Sequence, residues 1–78
     1  MNVGIFIGRF QPFHNGHKYV VDLMLQECDK VIILVGSSNT SISLKNPFNV
    51  NQRADMIAQS YPDINSKRLV ILPLRDSR

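Results

Sequence analysis

The chain has 78 residues, 44% of them hydrophobic and 19% charged, and its formal net charge is +3. This composition indicates one globular domain and excludes a disordered or fibrous segment. The basic residues are scattered instead of forming a stripe, which argues against a nucleic-acid partner. The longest apolar run, Val31 to Val35, is far shorter than the ~20 residues that span a membrane, so we expect no membrane partner.

Cys28 is the only cysteine, so no disulfide can form within the chain. An unpaired cysteine is typical of a reducing compartment, and the N-terminus shows none of the features of a secretory signal peptide. We therefore expect a cytoplasmic protein.

Hydrophobic periodicity predicts an alternating series of three strands and two helices. An apolar, β-branched run that is too short for a helix opens the series, and we expect this first strand to be buried on both faces of a parallel sheet. Asn15 is the predicted N-cap of the first helix, and a capping box opens the second. In chain order the elements are a strand from Val3 to Ile7, a helix from about Asn15 to Cys28, a strand from Val31 to Val35, a helix from the Asn49–Gln52 capping box to Tyr61-Pro62, and a strand from Leu69 to Leu72.

The order βαβαβ with short connections predicts an α/β fold with right-handed crossovers and a parallel sheet, the N-terminal half of a Rossmann-like doubly wound sheet. The second half, which supplies the other wall of the ligand crevice in such folds, is absent from these residues. The first strand would be central in a complete sheet, and we expect it to become an uncovered edge. Its apolar surface predicts association into a homo-oligomer.

The stretch Gly8 to His17, GRFQPFHNGH, connects the first strand to the first helix. Its glycines match neither the dinucleotide fingerprint GxGxxG nor the phosphate loop GxxxxGK. Backbone amides at Gly8 and at the helix N-terminus, together with the helix dipole, predict an anion site. Arg9 at the strand end predicts a phosphate clamp, and Gly16 would let a base or a phosphate approach the backbone closely.

His14 and His17 are three residues apart, so both imidazoles can face one ligand. A phosphate monoester, whose second pKa is about 6, is already ionised at neutral pH and needs no general base as a nucleophile. The histidines would then be donors that stabilise negative charge on the attacked phosphorus and on the leaving group. The alternatives are a capping or surface role and a zinc pair, but no cysteine or carboxylate stands nearby with ligand spacing.

A polar loop of small residues follows the second strand, where ligands bind in such sheets. Lys45 and Arg53 could be solvated charges or ligand contacts. Arg53 occupies the first turn of its helix, where the dipole disfavours a cation, and this indicates an anionic ligand. The phenylalanines Phe10, Phe13 and Phe48 are predicted to pack instead of stacking on a base.

Three blocks in this order, GRFQPFHNGH, GSSNTSISLKNPF and QRADMI, resemble the archaeal-type nicotinamide mononucleotide (NMN) adenylyltransferases, a pattern also found in bifunctional enzymes fused to a Nudix hydrolase. HxGH alone would indicate only the wider nucleotidyltransferase superfamily. The resemblance implies that residues 1–78 are the N-terminal part of a single nucleotidyltransferase domain. It further implies adenylyl transfer from ATP to NMN, giving NAD and pyrophosphate, with Mg²⁺.

Site residues follow from the same resemblance. It implies that His14, His17 and Arg9 are catalytic, and it implies no protein ligand to a metal. The implied ATP-binding residues are Gly8, Arg9, Phe10, His14, Gly16 and His17, and the implied NMN-binding residues are Ser37, Lys45, Asn46 and Arg53.

This sequence departs from the family in two respects. Gln52 replaces a commonly acidic residue but can still cap its helix, and a later ISxTxxR-like signature is absent together with the C-terminal half. We therefore expect the 78 residues alone to be inactive. The alternatives are another HxGH adenylyl- or cytidylyltransferase with a different phosphorylated acceptor, and a nucleotide-binding module without catalysis.

Overall fold

The computed structural model describes residues 2–36 and 48–75. They form all five predicted elements in the predicted order, which are β1 (Val3–Gly8), α1 (Asn15–Glu27), β2 (Lys30–Gly36), α2 (Val50–Gln59) and β3 (Leu69–Leu74). Each strand extends one or two residues beyond its apolar run. No helix among these residues is long and apolar enough to cross a membrane.

The three strands form a parallel sheet in the order β1-β2-β3, with Gly8 opposite Val35 and Gly36 opposite Leu74. Because the strands are parallel, their carboxyl ends lie along one edge of the sheet. The loops that leave β1 and β2 therefore emerge side by side, which is where ligands bind in open α/β sheets.

Both helices pack on the same face of the sheet. Val31, Ile33 and Val35 alternate along β2 and are fully buried, and they share one core cluster with Val21 of α1 and Ile57 of α2. Since both crossovers also step in the same direction across the sheet, they have the same hand. The predicted half of a doubly wound sheet is confirmed.

The opposite face of the sheet is open to solvent in the described chain. Ile5 and Ile7 of β1 are each 59% exposed, Val3 is 47% exposed and Leu72 of β3 is 45% exposed. The expectation that β1 is buried on both faces is therefore wrong for this chain, because both helices cover the other face. The companion expectation, an uncovered edge strand, is confirmed.

The helix ends correct one prediction and confirm another. The N-cap of α1 is His14 and not Asn15, because the His14 imidazole performs the capping that asparagine usually performs. At α2 the predicted capping box is present: Asn49 Oδ1 accepts a hydrogen bond from the Gln52 amide at 2.8 Å, and Gln52 Oε1 accepts one from the Asn49 amide at 2.9 Å. Gln52 thus caps the helix without a carboxylate.

Side chains from distant parts of the sequence fix α1 in place. The Arg68 guanidinium donates to the carbonyls of Leu25 at 2.6 Å and Cys28 at 3.1 Å, where the helix ends and a cation is favourable. On the helix surface, the Tyr61 hydroxyl donates to Asp22 Oδ1 at 2.7 Å. Hydrogen bonding by Tyr61 lowers the pKa of Asp22, and burial beside that carboxylate raises the pKa of Tyr61.

Candidate functional site: the turn after β1 and the start of α1

The first turn of α1 is closed by two histidines that cap each other. His14 Nδ1 accepts a hydrogen bond from the Gly16 amide at 3.1 Å, and His17 Nδ1 accepts one from the His14 amide at 3.2 Å. Each Nδ1 is therefore an acceptor, which leaves Nε2 of each ring as the nitrogen that can donate a hydrogen bond. The capping role considered in the sequence analysis is confirmed, and it leaves one N–H donor on each ring for a ligand.

The two rings stack on each other and rest on aromatic residues of the turn. The His14 and His17 centroids are 3.8 Å apart, and the His17 ring stacks on Phe13 at 5.8 Å and meets Phe10 edge-on at 4.9 Å. Burial, and then the like charge of His14, lower the pKa of His17. The surroundings therefore favour the neutral form of His17.

Phe10 brings the turn back onto the end of β1. Its φ is 54°, a left-handed conformation that is uncommon for a bulky residue, and its side chain is only 2% exposed. A Cβ at Gly8 would lie 2.8 Å from Phe10 Cζ, so the close approach of the ring requires glycine there. The predicted packing role of Phe10 is confirmed. Its contact with ATP stays a prediction that only its backbone could fulfil.

Gly16 lies in close contact with a neighbour within its own turn. A Cβ at this position would lie 3.0 Å from Cε1 and 3.2 Å from Nδ1 of His14, because the capping ring lies directly over the residue. The sequence suggested that Gly16 makes room for a ligand. The structure gives a second reason, the space occupied by the capping imidazole.

Arg53 lies fully buried beneath the turn. Its Nη1 donates to the carbonyl of Arg9 at 2.9 Å and to the carbonyl of Gly36, and its Nε donates to the carbonyl of Asn49 at 3.2 Å. Burial, and then the like charge of Arg9, lower the pKa of Arg53. These backbone contacts explain an arginine in the first turn of α2 without a ligand. Binding of NMN by Arg53 stays a prediction.

The exposed surface of the turn carries positive charge. The Arg9 side chain is exposed, whereas its carbonyl is held from below. The first turn of α1 contains no acidic residue, so nothing there neutralises the positive end of the helix dipole. An arginine, two N–H donors and a helix N-terminus together form a surface suited to phosphate.

The described part of the chain thus brings together most of the predicted residues. One carboxyl edge of the sheet carries Gly8, Arg9, Phe10, His14, Gly16, His17 and Arg53. The predicted NMN contacts Ser37, Lys45 and Asn46 lie outside the described residues. Within residues 2–36 and 48–75 no three metal-ligating side chains come together.

One polar residue of the turn was missed from the sequence. The Gln11 side chain donates from Nε2 to the Phe48 carbonyl at 3.0 Å, and its Oε1 accepts from the Phe48 amide at 3.0 Å. The partners are 37 residues apart, so no local pattern could indicate the contact. The only signal was a glutamine among residues that are predicted to pack or to bind phosphate.

A half-Rossmann sheet whose first strand leads through a glycine turn into a histidine-capped helix defines a nucleotidyltransferase fold. The chain belongs to the cytidylyltransferase-like family, whose model matches residues 5–73. It is 44% identical over 78 residues to a nicotinamide-nucleotide adenylyltransferase of Saccharolobus solfataricus, covering 97% of this chain and 45% of that protein. It is 40% identical over 75 residues to the one of Thermococcus kodakarensis, covering 94% and 40% respectively.

A solved structure shares the architecture as well as the sequence. It is a bifunctional NMN adenylyltransferase/ADP ribose pyrophosphatase from Francisella tularensis, complexed with AMP and a Mn ion. The TM-score is 0.88 at 43% identity, over 96% of this chain and 23% of that one. The resemblance stated from the sequence is confirmed. The chain spans less than half the length of these relatives.

Proposed function

We propose that this chain carries the phosphate-binding half of an enzyme that transfers the adenylyl group of ATP to NMN, giving NAD and pyrophosphate. One observation carries the proposal: two stacked imidazoles at the N-terminus of α1, each with its Nδ1 occupied by a backbone amide. The relatives named above, which share 40–44% of aligned residues, support the choice of reaction and of acceptor.

In the proposed reaction a phosphate oxygen of NMN attacks the α-phosphorus of ATP. A new P–O bond forms, the bond from that phosphorus to the bridging oxygen breaks, and pyrophosphate leaves with the bonding electron pair. The nucleophile is already ionised, so His14 and His17 take no proton from it. Instead their Nε2–H groups donate to the phosphate oxygens on which charge grows, and Arg9 neutralises part of that charge.

Magnesium enters this reaction as part of the substrate, bound to the phosphates of ATP. The AMP and Mn ion in the Francisella protein support the use of a divalent metal. The described residues of this chain offer donors and positive charge toward the phosphates, which is the complement that a metal–nucleotide substrate needs.

NAD formation by the natural full-length protein tests the proposal directly, together with isothermal titration of the 78-residue chain with ATP and magnesium. We expect the chain to bind ATP weakly and to make no NAD, because it spans less than half of its relatives. Turnover by the 78 residues close to that of the full-length protein would contradict the fragment interpretation.

His17 offers a test that separates catalysis from capping. In His17→Gln, the glutamine can still accept the His14 amide as a capping-box residue, whereas His17→Ala removes both functions. We expect both variants of the full-length protein to lose turnover, and only His17→Ala to lose helix stability as well. If turnover survives in His17→Gln, the imidazole is not catalytic. A binding module without catalysis would show no turnover even before substitution, and the His17 substitutions would only weaken its binding of ATP.

A second candidate differs only in the acceptor, and the match to a cytidylyltransferase-like family keeps it open. Competition between phosphorylated acceptors on the full-length protein distinguishes the two candidates. Activity with phosphopantetheine but not with NMN would overturn our choice.

We propose in addition a cytoplasmic location, supported by the single cysteine, and self-association. The exposed apolar face of β1 supports self-association, with Ile5 and Ile7 each 59% exposed. Sedimentation of the 78-residue chain measures it, and a monomer at all concentrations would contradict it.

A further inference from the structure

The turn that carries Arg9 is tied to both described chain segments that flank residues 37–47. On one side, Arg53 Nη1 joins the Arg9 carbonyl to the Gly36 carbonyl at the end of β2. On the other side, the Gln11 amide pairs with the backbone of Phe48, just before α2. The turn, the end of β2 and the start of α2 are thereby connected through side chains.

The Gln11 contact is a matched pair of hydrogen bonds. Its Nε2 donor meets the Phe48 carbonyl at 3.0 Å and its Oε1 acceptor meets the Phe48 amide at 3.0 Å, the pattern of two paired backbone peptides. A carboxylate of the same size could accept from the amide but would place a second oxygen against the carbonyl. The contact therefore requires the primary amide of glutamine.

We propose that Gln11 is a positioning residue, which holds the Arg9 turn in register with the start of α2. It touches no reacting atom. The inference rests on the proposed function, because an in-line attack on ATP requires the phosphates and the acceptor to be aligned to within a fraction of an ångström. Gln11 joins the turn to the segment before α2 at Phe48, beside Arg53, which joins the Arg9 carbonyl to α2 itself.

The test is Gln11→Glu in the natural full-length protein, with Gln26→Glu, at an exposed position of α1, as the matched control. We expect the Phe48 amide to exchange its hydrogen about 5-fold faster in Gln11→Glu, because repulsion between the second carboxylate oxygen and the Phe48 carbonyl moves the side chain away and the amide loses its hydrogen bond. We expect kcat for NAD formation to fall about 10-fold while KM for ATP stays within about twofold, because alignment is lost and phosphate binding is kept. Gln11→Ala should behave alike, and Gln26→Glu should change none of these quantities.

Each outcome decides between the possibilities. Unchanged exchange at Phe48 would overturn the contact, and faster exchange with unchanged kcat would overturn the positioning role while leaving the proposed function intact. An equal loss of kcat in Gln26→Glu would assign the effect to charge and overturn the role as well. If the unsubstituted protein makes no NAD, the proposed function itself fails. Faster exchange with a selective loss of kcat supports the proposal.

Discussion

Substitution of Gly16 by alanine tests how precisely the capping imidazole must be placed. The added Cβ would lie 3.0 Å from Cε1 of His14, whereas carbon atoms in contact prefer about 3.5 to 4.0 Å. The His14 ring must therefore move by about 0.5 Å. This movement separates it from the Gly16 amide, now 3.1 Å away, and disturbs its 3.8 Å stack with His17.

The free energy of unfolding should change little in Gly16→Ala, because two effects of similar size oppose each other. Alanine is favoured over glycine within a helix by about 1 kcal/mol. Weakening of the N-cap costs about 1 kcal/mol. We therefore expect the free energy of unfolding to change by no more than about 0.5 kcal/mol. A loss of activity then comes from the displaced ring and not from unfolding.

Turnover should be far more sensitive than stability to this substitution. A misplacement of about 1 Å at a reacting centre can cost roughly 100-fold in rate, so a shift of about half that size predicts a loss of roughly 10-fold. The assay is kcat/KM for ATP in NAD formation by the full-length protein, measured beside its thermal unfolding. Asn15→Ala, at an exposed position of the same turn, is the matched control and should keep both values.

The reasoning is refuted if Gly16→Ala keeps kcat/KM within twofold of the original protein while its Tm is unchanged. Such a result would mean that the position of His14 does not limit the reaction. A loss of activity that Asn15→Ala reproduces would also refute it, because that substitution leaves the space around the ring untouched.

Three further predictions concern protonation and packing. Because the pKa of His17 is lower in the folded chain than in the unfolded one, the unfolded chain binds a proton at His17 at a higher pH. The free energy of unfolding should therefore be greatest above pH 6.5 and fall as the pH decreases from there through the folded pKa. A Tm that rises on acidification through this range would contradict the prediction. Arg53→Met leaves buried carbonyls without a hydrogen-bond donor and should lower the free energy of unfolding by about 3 kcal/mol in denaturant unfolding. Arg9→Met, at an exposed position, should change that free energy by no more than about 0.5 kcal/mol. Equal losses in the two variants would contradict a structural role specific to Arg53. Tyr61→Phe should raise the pKa of Asp22 in an NMR titration, because its principal hydrogen bond is lost, and an unchanged pKa would show that another group sets it.

The elements were predictable because each one is encoded by neighbouring residues. Apolar runs and helical spacing marked all five, and the Asn49–Gln52 capping box was correct in detail. The cap of α1 was assigned one residue too late, because histidine is not among the usual capping residues and its imidazole reaches Gly16 only when the ring turns back over the helix.

The family was contained in the sequence itself, in the order and spacing of its motifs, and so was the candidate phosphate-binding turn. Contacts between residues distant in sequence were not, because they depend on how the loops bring the strand ends together. Only the folded chain placed Arg53 under the carbonyls of Arg9 and Gly36, and only it paired Gln11 with Phe48. Local propensity and periodicity determined the helices, the strands and the fold class; the tertiary hydrogen bonds decided which polar side chains support the site and which remain exposed to meet a ligand.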